Sequence, residues 1–363
     1  MARQIKPDDL IIHFLNVGLG DNIIIEFPVD NAGNRRYGLV DCRDGNKTIK
    51  YLNKLMPNTA DRKRLLFICA THPHSDHISG ISTVINSRYY HPHEFWDSGF
   101  CHNSQTYGKI LEDIVKNEIR MVRVSSGMEW YFGRVRFTAL SPSVRLRNKY
   151  ATYGVDMNNA SIVLRIEHSE EDFVMMQSKK YREEKSYQDE RRAGRSVVTL
   201  CGDAEFDSWA YICEEYPQVV RNSKHKPLVK KMINHLSSAV VKVAHHGSMH
   251  STPLDVYEKM HPSIAIISTD QRESTKKVTR VGVKEITRAL FPHQSATIAL
   301  EECNVRVLTT DGSYEREAVN GKKKDARNIN PGSIVIVVPP GGKIRWKKLR
   351  DTVKTTPDPP LSV

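Results

Sequence analysis

Apolar and polar positions alternate in short blocks along the first half of the chain. Residues 10–17 (Leu-Ile-Ile-His-Phe-Leu-Asn-Val) read as a strand, 18–21 as a turn, 22–27 as its hairpin partner and 37–41 as a third short strand. Helical spacing covers 48–55 and 78–86, and between them lies the apolar run Leu65-Leu66-Phe67-Ile68-Cys69-Ala70. Further strands are expected at 134–140, 160–166, 197–200, 239–244 and 264–268, with helices at 205–214, 253–259 and 283–290. Strands that alternate with helices indicate a layered α/β arrangement. No internal repeat is evident.

Two stretches depart from this pattern. Residues 177–196 carry seven Lys and Arg among four acids, and read as a polar insertion, either a solvated loop or a nucleic-acid grip. Residues 333–338 are apolar, 339–342 are Pro-Pro-Gly-Gly, and 343–348 are basic around Trp346, a pattern that predicts a basic hairpin followed by a loose tail at 357–363. The expected division is a domain over 1–320 and a C-terminal hairpin extension over 321–363.

With 363 residues and 39% hydrophobic content the chain is expected to bury a large core. No stretch approaches the roughly 18 apolar residues of a membrane span, and the first residues lack a signal-type apolar core, so a cytosolic location is expected. Six cysteines stand far apart without C-x-x-C spacing and read as reduced, mostly buried thiols. The formal charge of +12 suits a polyanionic partner, provided that the basic surface lies beside a site.

The chemistry is concentrated in Thr71-His72-Pro73-His74-Ser75-Asp76-His77, directly after the apolar run at 65–70. Imidazoles and a carboxylate suit a borderline divalent ion such as zinc, with manganese as the alternative, and four such groups so close together serve two ions better than one. A polar surface loop with chance histidines is the competing reading. Two later strands argue against it: 197–203 ends in Gly202-Asp203 and 240–248 ends in His245-His246-Gly247-Ser248. Ligands delivered from neighbouring strand ends converge. In this reading His72 and His74 hold one ion, Asp76 and His77 the other, Asp203 bridges both and His246 completes the second. Cys201 is a further donor type near Asp203, though a packed strand cysteine is the simpler reading. The spacing of His91 and His93 is also ligand-like, but these two and His102 read as loop or surface residues, and His250 lies one short loop away.

These segments resemble the metallo-β-lactamase fold superfamily, and within it the soluble hydrolase domain of ComEC-type DNA-uptake competence proteins. The opening segment His13–Asp21, Gly38-Leu39-Val40-Asp41, the loop from Thr71 to His77, Asn158–Leu164, Gly202-Asp203 and His245–Ser248 with Ser251 carry the resemblance, over roughly residues 10–312. It implies a four-layer αβ/βα sandwich, two mixed sheets flanked by helices, with a hydrolytic site at one edge. It also implies that Asp41 braces the His loop without ligating metal, and that Asp76 orients the nucleophile. Two departures stand out. No histidine precedes the bridging aspartate where the superfamily has one; Asn158 and Asn159 occupy that region. The late Asn and His-Pro of the competence-type branch are missing from 268–282, where Lys276, Lys277 and Arg280 are alternatives.

The expected reaction is hydrolysis of a phosphodiester by two divalent ions. Asp76 and His245 are the expected catalytic groups, with Asn159, Gly247 and Ser248 contacting substrate. Three functions remain open: a nuclease acting on DNA or RNA, a phosphodiesterase or other esterase for a small molecule, and a metal-stabilised nucleic-acid-binding subunit with little turnover. A β-lactam substrate is disfavoured because nothing indicates export, and a glutathione thioester is compatible with the fold.

Overall fold

The structure is a computed structural model that describes residues 5–56, 63–153, 156–176, 196–217, 219–223, 226–233, 235–270, 278–280, 283–285, 291–314 and 331–349. The first sheet begins with β1 (Leu10–Phe14), β2 (Asn22–Glu26), β3 (Tyr37–Cys42), β4 (Lys63–Ala70), β5 (Tyr90–Asp97) and β6 (Arg120–Arg123). The second contains β7 (Glu129–Phe132), β8 (Val135–Ser141), β9 (Val163–His168) and β10 (Ser196–Leu200). After a two-stranded ribbon, β11 (Val219–Ser223) and β12 (Lys226–Ile233), it continues with β13 (Val240–Lys242) and β14 (Ile264–Ile267). A second ribbon, β15 (Val278–Arg280) and β16 (Val283–Glu285), precedes β17 (Arg306–Thr309). The chain then returns to the first sheet with β18 (Ile334–Val338) and β19 (Arg345–Lys348).

Both sheets are mixed. The first runs β19-β18-β1-β2-β3-β4-β5-β6, antiparallel on the β1 side and parallel from β3 to β6. The second runs β17-β14-β13-β10-β9-β8-β7, parallel from β10 to β17 and antiparallel elsewhere. Alternation places Leu10, Ile12 and Phe14 in the inter-sheet core with Val198, Leu200, Val240 and Ile266, while Ile11 packs on the other face with Val335 and Val337. Phe67 stacks on Trp96 with ring centres 3.9 Å apart, and Trp96 on Trp130 at 4.2 Å, which ties β4 and β5 to β7.

Helices cover the outer faces. On the first sheet lie α1 (Gly45–Leu55), α2 (Ser75–Ile78), α3 (Ile81–Ile85) and α4 (Gln105–Lys116), which share a core with Leu39, Leu65 and Ile68. Between the two sets come α5 (Val144–Tyr153) and the single turn α6 (Phe173–Met176). On the second sheet α7 (Phe206–Glu215), α8 (Leu254–Met260) and α9 (Gln294–Glu302) pack through Trp209, Ile212, Tyr257 and Leu300 onto Val163, Val241 and Ile267. The result is the four-layer αβ/βα sandwich expected from the sequence. Among the described residues no helix is long and apolar enough to cross a membrane.

Several expectations need correction. Residues 283–285 form strand β16 paired with β15, where a helix was expected; short β-branched runs such as Val278-Thr279 are decided by a partner strand. His91 and His93 lie within β5, not in a loop before it. The C-terminal hairpin forms, with β18 against β19, but β18 also pairs along its whole length with β1, so it is part of the first sheet and not an appendage. The charged segment 177–195 and the lysines at 276 and 277 lie outside the described residues.

Candidate metal centre

The centre forms where the parallel strands β3, β4, β10, β13 and β14 end, the general location of sites in open α/β sheets. Asp41, at the end of β3, receives Thr71 N on Oδ1 at 2.8 Å, and Thr71 Oγ1 and His77 Nδ1 on Oδ2, each at 2.8 Å. In the neutral ring that ligates metal, keeping the proton on Nδ1 leaves Nε2 facing inward as the free donor. The loop turns sharply at α2 and rests on the start of α1: Gly80 N donates to Cys42 O at 2.7 Å, and a Cβ on Gly80 would lie 2.2 Å from Gly45 N.

Asp203 is held by Ser161 Oγ, which accepts from its backbone N at 3.0 Å, and by the left-handed Gly202, φ +51°, squeezed between Ser161 and Thr71. Its two oxygens face different groups. Oδ1 is 3.1 Å from His77 Nε2, and Oδ2 is 3.8 Å from His72 Nε2. Asp76 Oδ2 lies 3.8 Å from His77 Nε2 and 3.4 Å from His246 Nε2. His72 Nε2 and His74 Nδ1 are 3.1 Å apart. His246 donates Nδ1 to Ser268 O at 2.6 Å, which again turns Nε2 toward the centre.

These separations test whether metal fits. Donors bound to one tetrahedral zinc at about 2.0–2.1 Å stand about 3.3 Å apart. The observed spacings of 3.1–3.8 Å bracket that edge length. His77 Nε2 and Asp203 Oδ1 are buried without a well-formed hydrogen bond, although they face each other. Such atoms suit a cation. Asp21, His77, Asp203 and His246 make a fully buried cluster able to hold one.

Asp21 belongs to that cluster by distance, yet its carboxylate is already ion-paired with the ammonium of Lys242, which is completely buried and also donates to Gly202 O at 3.3 Å. Asp76, whose side chain is 33% exposed, is the carboxylate that reaches both Nε2 atoms from the solvent side. Sequence reading missed the Asp21–Lys242 pair. A lone lysine in Val240-Val241-Lys242-Val243-Ala244 was its signal, because a buried charge needs a partner.

Burial holds the imidazoles of His72 and His74 below the ordinary histidine range, toward the neutral form that ligates metal. Burial also opposes charge on His77, but Asp203, Asp41 and Asp76 outweigh it and push that imidazole well up. Asp203 moves the other way: His77 and His246 overcome burial and hold its carboxyl well below the usual range.

His245 and His246 occupy a tight turn after β13, both left-handed, with φ of 44° and 53°. Non-glycine residues are rarely found there, and such strain collects at functional sites. The turn aims the rings differently. His245 Nδ1 pairs with Glu205 Oε1 at 2.8 Å, a carboxylate that also receives Asn158 Nδ2 at 3.1 Å, while His245 Nε2 stands 3.8 Å from Asp203 Oδ2. Burial lowers the His245 pKa, but the Glu205 bond and the Asp203 charge raise it above the ordinary value. Phe291, from a distant part of the chain, lies 5.7 Å from the His245 ring and 6.3 Å from that of His246.

Other expected residues fall into place less directly. Asn159 was expected to contact substrate; instead its Oδ1 accepts from Ser208 N at 3.1 Å and its backbone O from Ser208 Oγ at 2.6 Å, which anchors α7. The neighbouring Asn158 faces the centre. Gly247 and Ser248 are buried, Gly247 beneath Pro292, with Gly247 O accepting from His293 N. Cys201 packs in the outer core, and burial pushes its thiol up to about 12. His250 sits over Phe206, ring centres 6.0 Å apart.

No family model matches the chain, and no curated protein does. Solved structures align with it at low identity. A long-form RNase Z from yeast is 14% identical, over 77% of this chain and 40% of its own length, with a TM-score of 0.37. The metallo-β-lactamase fold protein YhfI from Bacillus subtilis is 10% identical over 83% and 96%, at 0.39. A diphosphatase of the PhnP family is 11% identical over 72% and 79%, at 0.32. The chain thus spans less than half the length of that RNase Z, and likenesses this distant carry no weight beside the layer order and the donor geometry.

Proposed function

We propose that this chain is a metal-dependent phosphodiester hydrolase of the metallo-β-lactamase type, acting on DNA or RNA with two divalent ions, zinc or manganese. The observation that carries this reading is Asp203, whose two carboxylate oxygens face two different imidazoles, Oδ1 that of His77 and Oδ2 that of His72. His72, His74 and Asp203 Oδ2 would hold one ion. Asp76, His77, His246 and Asp203 Oδ1 would hold the other.

Two cations so placed would supply hydroxide near neutral pH and charge to offset that developing on oxygen. Asp76 is the carboxylate open to solvent, so its second oxygen orients the attacking water. His245, oriented through Nδ1 by Glu205, presents Nε2 to the centre and donates a proton to the leaving oxygen. Phe291 packs beside both histidines and limits water on that side.

The excess of 54 Lys and Arg over 42 Asp and Glu, and the resemblance to the competence-type hydrolase domain, support a nucleic-acid substrate. One observation favours a second reading, a small phosphodiester. Among the described residues, several cations are already engaged: Lys242 with Asp21, Lys149 with Asp207, and Arg147 with the carbonyls of Ser98 and Val124. Six cysteines without a disulfide support action in a reducing compartment such as the cytosol.

The test is incubation of the purified chain, with zinc or manganese, with labelled single- and double-stranded DNA and RNA, alongside His74→Ala and Asp203→Asn. Metal-dependent cleavage that both substitutions abolish supports the nuclease reading. Cleavage of a bis-nitrophenyl phosphate without polymer cleavage selects the second reading. Steep salt-dependent binding with no product selects the low-turnover subunit.

A further inference from the structure

The two halves of the centre are unequal. Asp76, His77, His246 and one oxygen of Asp203 make four protein donors on one side, while His72, His74 and the other oxygen make three. Asn159 is committed to Ser208, whereas Asn158 donates Nδ2 to Glu205 and keeps its Oδ1 buried without a hydrogen bond among the described residues. An imidazole is a stronger donor to zinc than that amide oxygen.

His102 packs against His74. Its ring lies 5.7 Å from that of His74, steeply inclined at 79°, and His72 and His74 are themselves 4.7 Å apart. Two imidazoles on one tetrahedral ion, with bonds of about 2.0–2.1 Å, have ring centres about 5 Å apart. The Nδ1 atom of His102 is buried and makes no hydrogen bond among the described residues. A buried, unpartnered ring nitrogen costs stability that a bond to metal would recover.

The segment that carries it is fixed at both ends. On one side Phe100 is 1% exposed and packs with Leu146 and Ala160. On the other Ser104 caps α4, its side chain accepting from Tyr107 N at 3.2 Å. His93, by contrast, stands on β5 with an exposed side chain.

We propose that His102 is a ligand of the ion held by His72 and His74, contributed by the loop between β5 and α4. This rests on the two-ion reading above. The ion would then have three imidazoles and a shared carboxylate, a donor set that favours zinc.

The test is metal binding by the whole chain, read without turnover. Cobalt titrations followed by visible absorption, and zinc retention against a chelator of known affinity, would be run on wild type, His102→Ala, His102→Cys and His93→Ala. Expected are two ions in wild type and in His93→Ala, at least tenfold weaker binding of one ion in His102→Ala with its share of the cobalt spectrum altered, and two ions in His102→Cys with a new thiolate-to-cobalt band. Unchanged affinities and spectrum in His102→Ala, or no thiolate band in His102→Cys, would overturn the ligand assignment while leaving the two-ion centre intact. A wild-type chain that binds no metal would overturn both.

Discussion

Asp41 accepts the Nδ1 proton of His77 at 2.8 Å, and the same carboxylate secures the backbone and hydroxyl of Thr71. One buried side chain therefore sets both the tautomer of a candidate ligand and the shape of the loop that carries it. Asp41→Asn can still bond Thr71 but no longer fixes the proton on His77. Chelator competition should report about 10–100-fold weaker metal binding, with the fold retained by circular dichroism.

Asp203 serves both halves of the centre, so Asp203→Asn removes charge from each. Hydrolysis should fall by more than about a hundredfold, and elemental analysis should find less than two ions per chain. Full activity with two ions retained would refute the bridging role.

Glu205 and His245 act as a pair through a 2.8 Å hydrogen bond. With its pKa raised, His245 keeps a transferable proton to higher pH than an ordinary histidine and loses it as pH rises through that value. Glu205→Gln removes the main support for the charged form. The alkaline limb of the rate profile should move to lower pH, with a loss of about tenfold on that limb and little change in metal content.

Lys242 and Asp21 form a fully buried ion pair beneath the centre. Lys242→Met leaves Asp21 as an uncompensated buried charge and should cost about 3–5 kcal/mol in urea unfolding. Joint replacement with Asp21→Asn should restore much of that stability. If the double variant were as unstable as the single, packing around the lysine stem, and not charge, would be the cause.

Glu167 is buried on β9 between Arg136 and Arg165. Burial alone would raise its carboxyl pKa, but the two guanidiniums hold it down to about 2, against an ordinary 4.5. Its folded value is depressed, so its contribution is complete above about 4.5 and is lost as pH falls toward 2. Glu167→Gln should be less stable than wild type by about 3 kcal/mol near neutrality, and the difference should shrink through that acid window.

The architecture was legible, and so was the convergence of the candidate donors, because each follows an apolar strand run and its location at a strand end could be read locally. Asp41, His72, His74, Asp76, His77, Asp203 and His246 all meet, although they come from four separate segments. What escaped were contacts that no local pattern encodes. Lys242 finds Asp21 across more than two hundred residues, Phe291 arrives from far downstream, and His102 sits in a short loop of no distinctive composition. Helix α4, absent from the expected elements, does carry a local signal in its cap Ser104 and the spacing of Tyr107, Ile110 and Ile114.

The pairing of β1 with β18 bears on the order in which the molecule can be completed. As the chain leaves the ribosome, β1 and β2 emerge well before β18 and can form their ladder, but the other edge of β1 lacks its native partner until residues 334–338 follow. At about 5–20 residues per second that interval lasts tens of seconds. For that time an edge of five apolar-rich residues, Leu-Ile-Ile-His-Phe, is a template for the wrong strand, in this chain or another. Only the arrival of β18 closes that edge.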